Sequence, residues 1–256
     1  MIIALDESGT DSNDFMVIGA LFVPSPGGLH NRLIQVKEEE EYYNSGSKHG
    51  AKYKEVHFKE ISSPRDERVA QKWIDSFLEY PCWYRSVVIE WEVWNPKYFG
   101  NAFETEALKK RRAYKKWAEM LLQPELKSQS HAWLKLDELK VLYRYDIVEE
   151  LEKRFGKPYM GRPPRISRFQ KVASWNDAHQ DVQLSDLLTG CVHNCLVPPE
   201  GKRGQKKIAT RNYLFKQLQD KFKIGGHTLG YWKGQAKTTL IQRFHKFSMW
   251  VWRPGE

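Results

Sequence analysis

Residues 1–10 read Met1-Ile2-Ile3-Ala4-Leu5-Asp6-Glu7-Ser8-Gly9-Thr10, and this stretch decides the fold. Five apolar residues in succession predict a strand buried on both faces, broken abruptly by two carboxylates, a serine and a glycine. A second apolar run, Phe15–Val23 (FMVIGALFV), follows closely enough to be its hairpin partner. Asp, Ser and Gly also favour a simple turn, so Asp6 and Glu7 fit either a turn or a ligand-holding site, and the two are compatible.

The same signature recurs once. Residues 131–136 form a short apolar strand ending in Leu136-Asp137-Glu138, an echo of Leu5-Asp6-Glu7. Alternation sends Trp133, Lys135 and Asp137 to one face and Ala132, Leu134 and Leu136 to the other. If the two strands are neighbours, Asp6 and Asp137 emerge at one sheet edge.

Two further carboxylates fit beside them. A helix is predicted over residues 176–196, with Asp177 as its cap. At 100° per residue His179, Gln183, Asp186, Gly190 and His193 share a polar stripe opposite Leu184, Leu187, Leu188, Cys191 and Cys195. Glu55 lies in Lys54-Glu55-Val56-His57-Phe58-Lys59-Glu60-Ile61, a segment too short for its own helix that leads into one capped by Ser63 and Pro64. His57 fits either an ordering role for Glu55 or a satisfied core histidine.

Elsewhere the pattern alternates. Leu29, Leu33 and Val36 mark one helix, Val69, Trp73 and Phe77 a second, and Tyr114, Trp117 and Leu121 a third over residues 103–122. A strand is predicted over 84–93 and another over 165–174, with a short helix between them begun by Asp146 and Glu149 in a capping-box arrangement. A flexible basic connection over 198–207 and a helix over 209–222 follow. The sum is an α/β chain with an early antiparallel hairpin and later crossovers.

Composition narrows the function. With 41% hydrophobic and 29% charged residues the chain is globular rather than disordered. No run approaches the roughly 18 apolar residues of a membrane span, no basic region precedes the opening strand, and three cysteines give no disulfide framework. The expectation is a cytoplasmic protein without membrane contact.

Charge is uneven. Residues 201–256 carry 13 Lys or Arg against Asp220 and Glu256, a net +11, which leaves −2 for residues 1–200. This end also holds Tyr213, Phe215, Tyr231, Trp232, Phe244, Trp250 and Trp252. Basic residues interleaved with aromatics point to RNA or DNA, tracked over residues 201–253, although a packed subdomain with solvated lysines gives the same composition. Lys109, Lys110, Arg111, Arg112, Lys115 and Lys116 form a second candidate phosphate surface.

Asp6-Glu7-Ser8-Gly9 with its hairpin partner, the Glu55 segment, Leu136-Asp137-Glu138 and the run Gln183-Leu184-Ser185-Asp186-Leu187-Leu188 together resemble the domain-of-unknown-function 3800 family. That family is similar to ribonuclease H-like folds. The resemblance covers residues 1–196 and leaves 197–256 as a basic, aromatic-rich C-terminal extension on or next to that domain. It implies a central mixed β-sheet flanked by helices, and a nuclease whose Asp6, Glu55, Asp137 and Asp186 hold Mg²⁺ or Mn²⁺. Clustered carboxylates repel one another unless a cation lies between them, and oxygen-only ligands suit these hard ions.

The implied chemistry is two-metal phosphodiester hydrolysis. Asp6 would bridge two cations, Asp137 and Glu55 would each complete one coordination sphere, and Asp186 would complete or release the second. His193 or Gln183 would position water or substrate. Glu7, Glu60 or Glu138 can each stand in for a named ligand, because one sequence does not fix which side chain faces the site.

Other classes fit parts of the pattern. Asp6-x-x-Gly9-Thr10 after a buried strand also resembles the phosphate hairpin of actin-like ATPases, but no second such hairpin follows. A non-catalytic nucleic-acid-binding or defence-associated module of the same fold would keep the acids for packing. A two-carboxylate glycosidase gains nothing from the basic end. Cys191 and Cys195 lie among leucines, where packing is the simpler role.

Overall fold

The opening run forms β1 (Ile2–Ser8), and β2 (Phe15–Val23) folds back antiparallel on it with Ile2 opposite Val23 and Ser8 opposite Val17. The computed structural model describes residues 1–9, 15–45, 50–90, 99–127, 130–138, 146–158, 163–198, 201–222 and 246–252. Within them β3 (Trp83–Glu90) extends the antiparallel meander, and β4 (Ala132–Asp137) and β5 (Ile166–Val172) add in parallel on the other side of β1. Finally β6 (Phe247–Val251) pairs in parallel with β3. The sheet is six-stranded and mixed, in the order β5-β4-β1-β2-β3-β6.

Helices cover both faces, so the architecture is α/β. On one side lie α1 (Pro26–Glu39), α2 (Pro64–Glu79), α5 (Gln180–Leu196) and α6 (Gly201–Phe222). On the other lie α3 (Glu106–Leu122) and α4 (Ile147–Phe155). Helical spacing does what it predicts: Leu29, Leu33, Val36, Val69, Trp73, Phe77, Tyr114, Trp117 and Leu121 are all buried. Each such side chain contributes about 1.5–3 kcal/mol of apolar burial. β1 and β2 are buried on both faces because they sit mid-sheet between two helical layers. The β5 edge is guarded by the exposed Arg168 and Lys171, the charged-edge device against strand addition.

Local chemistry sets several boundaries. Ser63 Oγ accepts the Asp66 N–H at 3.1 Å while Asp66 Oδ2 accepts the Ser63 N–H at 2.9 Å, a capping box that starts α2. Two caps differ from expectation. Asn176, rather than Asp177, caps the turn before α5, its Oδ1 accepting the Ala178 N–H at 2.9 Å, because Asp177 Oδ2 is engaged by the Lys52 N–H at 2.8 Å. Asp146 takes a left-handed φ of 53° with no side-chain cap bond, and α4 starts without a capping box. α6 begins at Gly201, earlier than the expected 209, so the basic connection is itself largely helical.

The chain leaves β1 through Gly9 at φ 79°, where a Cβ would overlap the His193 ring and the Phe15 carbonyl. Gly9→Ala is therefore expected to cost about 1–3 kcal/mol, read as a lower urea midpoint. An unchanged midpoint would refute the close approach. Among the described residues no helix is long and apolar enough to cross a membrane.

Candidate active site

Strand register brings the two LDE ends together. β1 and β4 run parallel with Leu5 beside Leu136, so Asp6 and Asp137, one residue on, leave neighbouring strands at the same end. Ile2 and Ala4 lie in the core beneath α5 and Ile3 and Leu5 in the opposite core, so alternation turns Asp6 toward α5 and Glu7 away from it. Trp133 packs beneath α5 while Ala132, Leu134 and Leu136 face the other way, which puts Lys135 and Asp137 on the α5 side as well. Asp6 is fully buried and Asp137 nearly so.

The polar stripe of α5 is buried rather than solvated, because residues 54–60 lie across it. A Cβ at Gly190 would overlap the Phe58 ring, so glycine there lets this segment settle against the helix. The Phe58 N–H then donates to Asp186 Oδ2 at 2.9 Å, and His57 Nδ1 lies 3.4 Å from the same oxygen while accepting the Lys59 N–H at 3.1 Å. Ser185 Oγ donates to the Ala4 carbonyl at 2.9 Å, tying the helix to β1 beside Asp6.

Gln183 is the fastener of this region. Its Oε1 accepts from the Val56 N–H at 3.0 Å and from Lys37 Nζ at 2.9 Å, and its Nε2 donates to the Ser174 carbonyl at 2.6 Å. One carboxamide thus joins the Glu55 segment, the end of α1 and the exit of β5. It is a positioning group buried in the fold rather than a water ligand.

Glu55 carries the electrostatic mark of the site. Burial raises its carboxyl above the ordinary value, a Ser174 hydrogen bond and the His57 charge oppose this, and the charges of Asp186 and Asp137 raise it further. Asp137 and Asp186 are therefore each within electrostatic reach of Glu55. Asp6 acts on this side of the sheet too: after burial and a Thr189 hydrogen bond, its charge is among the causes that shift the Tyr84 hydroxyl upward. Glu60 and Glu138 are exposed. Among the described residues no three His, Cys, Asp or Glu side chains converge into a ready metal cage.

His193 lies elsewhere, against the hairpin, with its ring beside Gly9 and a hydrogen bond to the Phe15 backbone; burial lowers its pKa. The cysteines are packing residues, since burial pushes Cys195 up to about 12 and Cys191 well above its ordinary value.

Lys37 is a buried residue that the sequence reading passed over, although it extends the Leu29–Leu33 spacing by one more turn. It is fully buried, 5.1 Å over the Trp73 ring, and burial lowers it to about 7 against the opposing charges of Asp177 and Glu55. The folded state thus binds fewer protons than the unfolded state from about pH 7 up to the ordinary lysine value near 10.4. Stability is expected to rise with pH across that window, and Lys37→Met to abolish the rise. Urea unfolding at pH 7 and pH 10 checks it; an equal rise in both proteins would refute it.

The basic surfaces are more committed than their composition suggests. α3 lies across the sheet from the carboxylates, with Lys109 buried, Arg112 paired to Glu104 at 2.6 Å, and Lys115 and Arg111 paired to Glu150 at 2.8 and 3.4 Å. On α6, Lys206 pairs with Glu67 at 2.7 Å and Arg211 donates to the Asn194 carbonyl at 3.0 Å. Lys216 and Lys221 are exposed. Tyr213 donates to Asp75, Phe215 packs edge-on to Phe247, Trp250 is half-buried and Trp252 packs on Trp117. These four aromatics serve the core; Tyr231, Trp232, Phe244 and Arg253 lie outside the described residues. The chain matches no protein-family model, no curated protein and no solved structure.

Proposed function

We propose that the chain is a divalent-metal-dependent nuclease that hydrolyses phosphodiester bonds of RNA or DNA on a ribonuclease H-like sheet. The observation that carries the reading is the parallel register of β1 and β4, which brings Asp6 and Asp137 side by side on the sheet face covered by the helix that bears Asp186. Such a cluster is costly without a cation, and its oxygen-only donors fit Mg²⁺ or Mn²⁺. Asp6, Glu55, Asp137 and Asp186 would hold the ions. Supporting it further, burial raises the Glu55 carboxyl, and the charges of Asp186 and Asp137 add to the rise.

The chain's own groups do the positioning. Phe58 N–H fixes one oxygen of Asp186, and Gln183 holds the Glu55 segment against α5. Without a cation Glu55 keeps a proton more readily than an ordinary carboxyl, and a bound cation would favour its ionised form. Bound ions would supply a water acidified toward neutrality and charge neutralisation at the leaving oxygen. Strand contact falls to the α6 side, which shares the sheet face of the carboxylates; the α3 lysines lie behind the sheet.

The test is cleavage of labelled single-stranded, duplex and hybrid RNA and DNA with Mg²⁺ or Mn²⁺ against EDTA. Metal-dependent loss of at least one substrate is expected. If no substrate is lost, and Asp6→Asn behaves as wild type, the chain is a nucleic-acid-binding module and not a nuclease.

A further inference from the structure

A cavity of about 310 Å³ lies on the carboxylate side of the sheet, beneath the start of α1. It falls at the low end of small-ligand sites, roughly 300–1,000 Å³. Its apolar wall comes from Ile2, Leu29, Leu33 and the Trp133 indole, and its polar edge from His30, Lys135, His179 and Asp181. None of these residues belongs to the carboxylate group or to the fastening around Gln183.

The polar edge has donors and acceptors but little net charge. Lys135 Nζ lies 2.9 Å from the Asp181 carboxylate and 3.5 Å from His179 Nδ1. Burial lowers both His30 and His179, so each is a neutral ring at neutral pH, with one N–H and one bare nitrogen.

An apolar slot edged in this way favours a neutral, planar heterocycle with its own donor and acceptor edge. A phosphate would bring charge that the Lys135–Asp181 pair leaves unmatched. β4 joins this cavity to the carboxylates: Asp137 lies two residues beyond Lys135 on the same face, about 7 Å along the strand. We propose that the cavity is a nucleobase subsite, holding one unpaired base of the strand whose backbone reaches the carboxylates. This inference rests on the nuclease reading and adds to it that the substrate is single-stranded at the point of contact. Reading an unpaired base against apolar walls and through its polar edge is how proteins recognise extruded bases.

The experiment titrates the full chain with adenosine, guanosine, cytidine and uridine, each separately, by calorimetry, with inorganic phosphate as competitor. Gly27→Trp crowds the mouth of the cavity: Gly27 lines it at an exposed position, and nothing stands within 4 Å of where its Cβ would be, so the fold accommodates the new indole. His179→Phe keeps a ring at the polar edge and deletes its nitrogens. Saturable binding of at least one nucleoside is expected, weakened at least tenfold by Gly27→Trp and several-fold by His179→Phe, and not displaced by phosphate. No binding by any nucleoside, binding untouched by Gly27→Trp in a normally folded protein, or displacement by phosphate would each overturn the subsite. Asp186→Asn separates the two readings: nucleoside binding that survives where no cleavage is found in any variant indicts the nuclease alone, whereas cleavage without nucleoside binding overturns the subsite alone.

Discussion

Asp186→Asn is expected to lower metal-dependent cleavage by more than about 100-fold while leaving the unfolding midpoint close to that of the wild type. Residues that only support a metal ligand already cost 10–100-fold when changed, so loss of a ligand's charge should exceed that. The fold should tolerate the change because asparagine keeps the side-chain shape and an oxygen to accept the Phe58 N–H. A second readout needs no activity. Asp186 is one of the charges that raise the Glu55 carboxyl, so the Glu55 pKa should fall in Asp186→Asn, followed by NMR titration. Wild-type cleavage by the variant would remove Asp186 from the chemistry. A Glu55 titration that does not move would remove the shared field on which the proposed site rests.

The largest structural effect is expected from Gly190→Val. Gly190 is fully buried mid-helix, and a Cβ there overlaps the Phe58 ring. A valine must push aside either α5 or the segment that carries Glu55 and His57. Overpacking of this kind costs about 1–3 kcal/mol, and occasionally more, and the upper end applies where the obstacle is a buried ring. Removing the obstacle should restore part of the loss, so Phe58→Ala in the Gly190→Val background should cost less than the two single changes added together. Strict additivity in urea unfolding would show that the two residues do not meet.

Periodicity exposed most of the architecture. The double apolar run at the start and the helical spacings through Leu33, Trp73 and Trp117 correspond to elements in place; of the two LDE runs, the second closes β4 at Asp137, whereas β1 continues through Asp6 and Glu7 to Ser8 because β2 pairs with it that far. Alternation was enough to say which way Trp133, Lys135 and Asp137 face. Strand order was not, because pairing partners are chosen by long-range packing that no local window encodes; nothing near residue 247 announces a parallel partner at residue 84. Burial of polar groups was equally hidden. The stripe through Gln183 and Asp186 looks solvated on a helical wheel, and becomes interior only because Phe58 seats on Gly190. Lys37 reads as a surface residue next to an acidic run, yet its ammonium ends inside the fold against Gln183 and Trp73. The aromatics of the basic end misled in the other direction: Trp252 and Phe215 fill the core instead of offering faces to bases.

The pairing of β6 with β3 also sets a timetable for synthesis. Ser86 donates to the Ser248 carbonyl across this pair, 162 positions apart in the chain. At about 5–20 residues per second, a ribosome needs roughly 8–30 s between making one strand and the other. Throughout that interval the outer edge of Trp-Tyr-Arg-Ser-Val-Val-Ile-Glu, rich in β-branched and aromatic residues, waits without its neighbour. Nascent chains of this protein are therefore most prone to associate with one another in the interval between the synthesis of β3 and that of β6, and a chaperone that shields exposed strand edges would raise its yield more than one that accelerates helix packing.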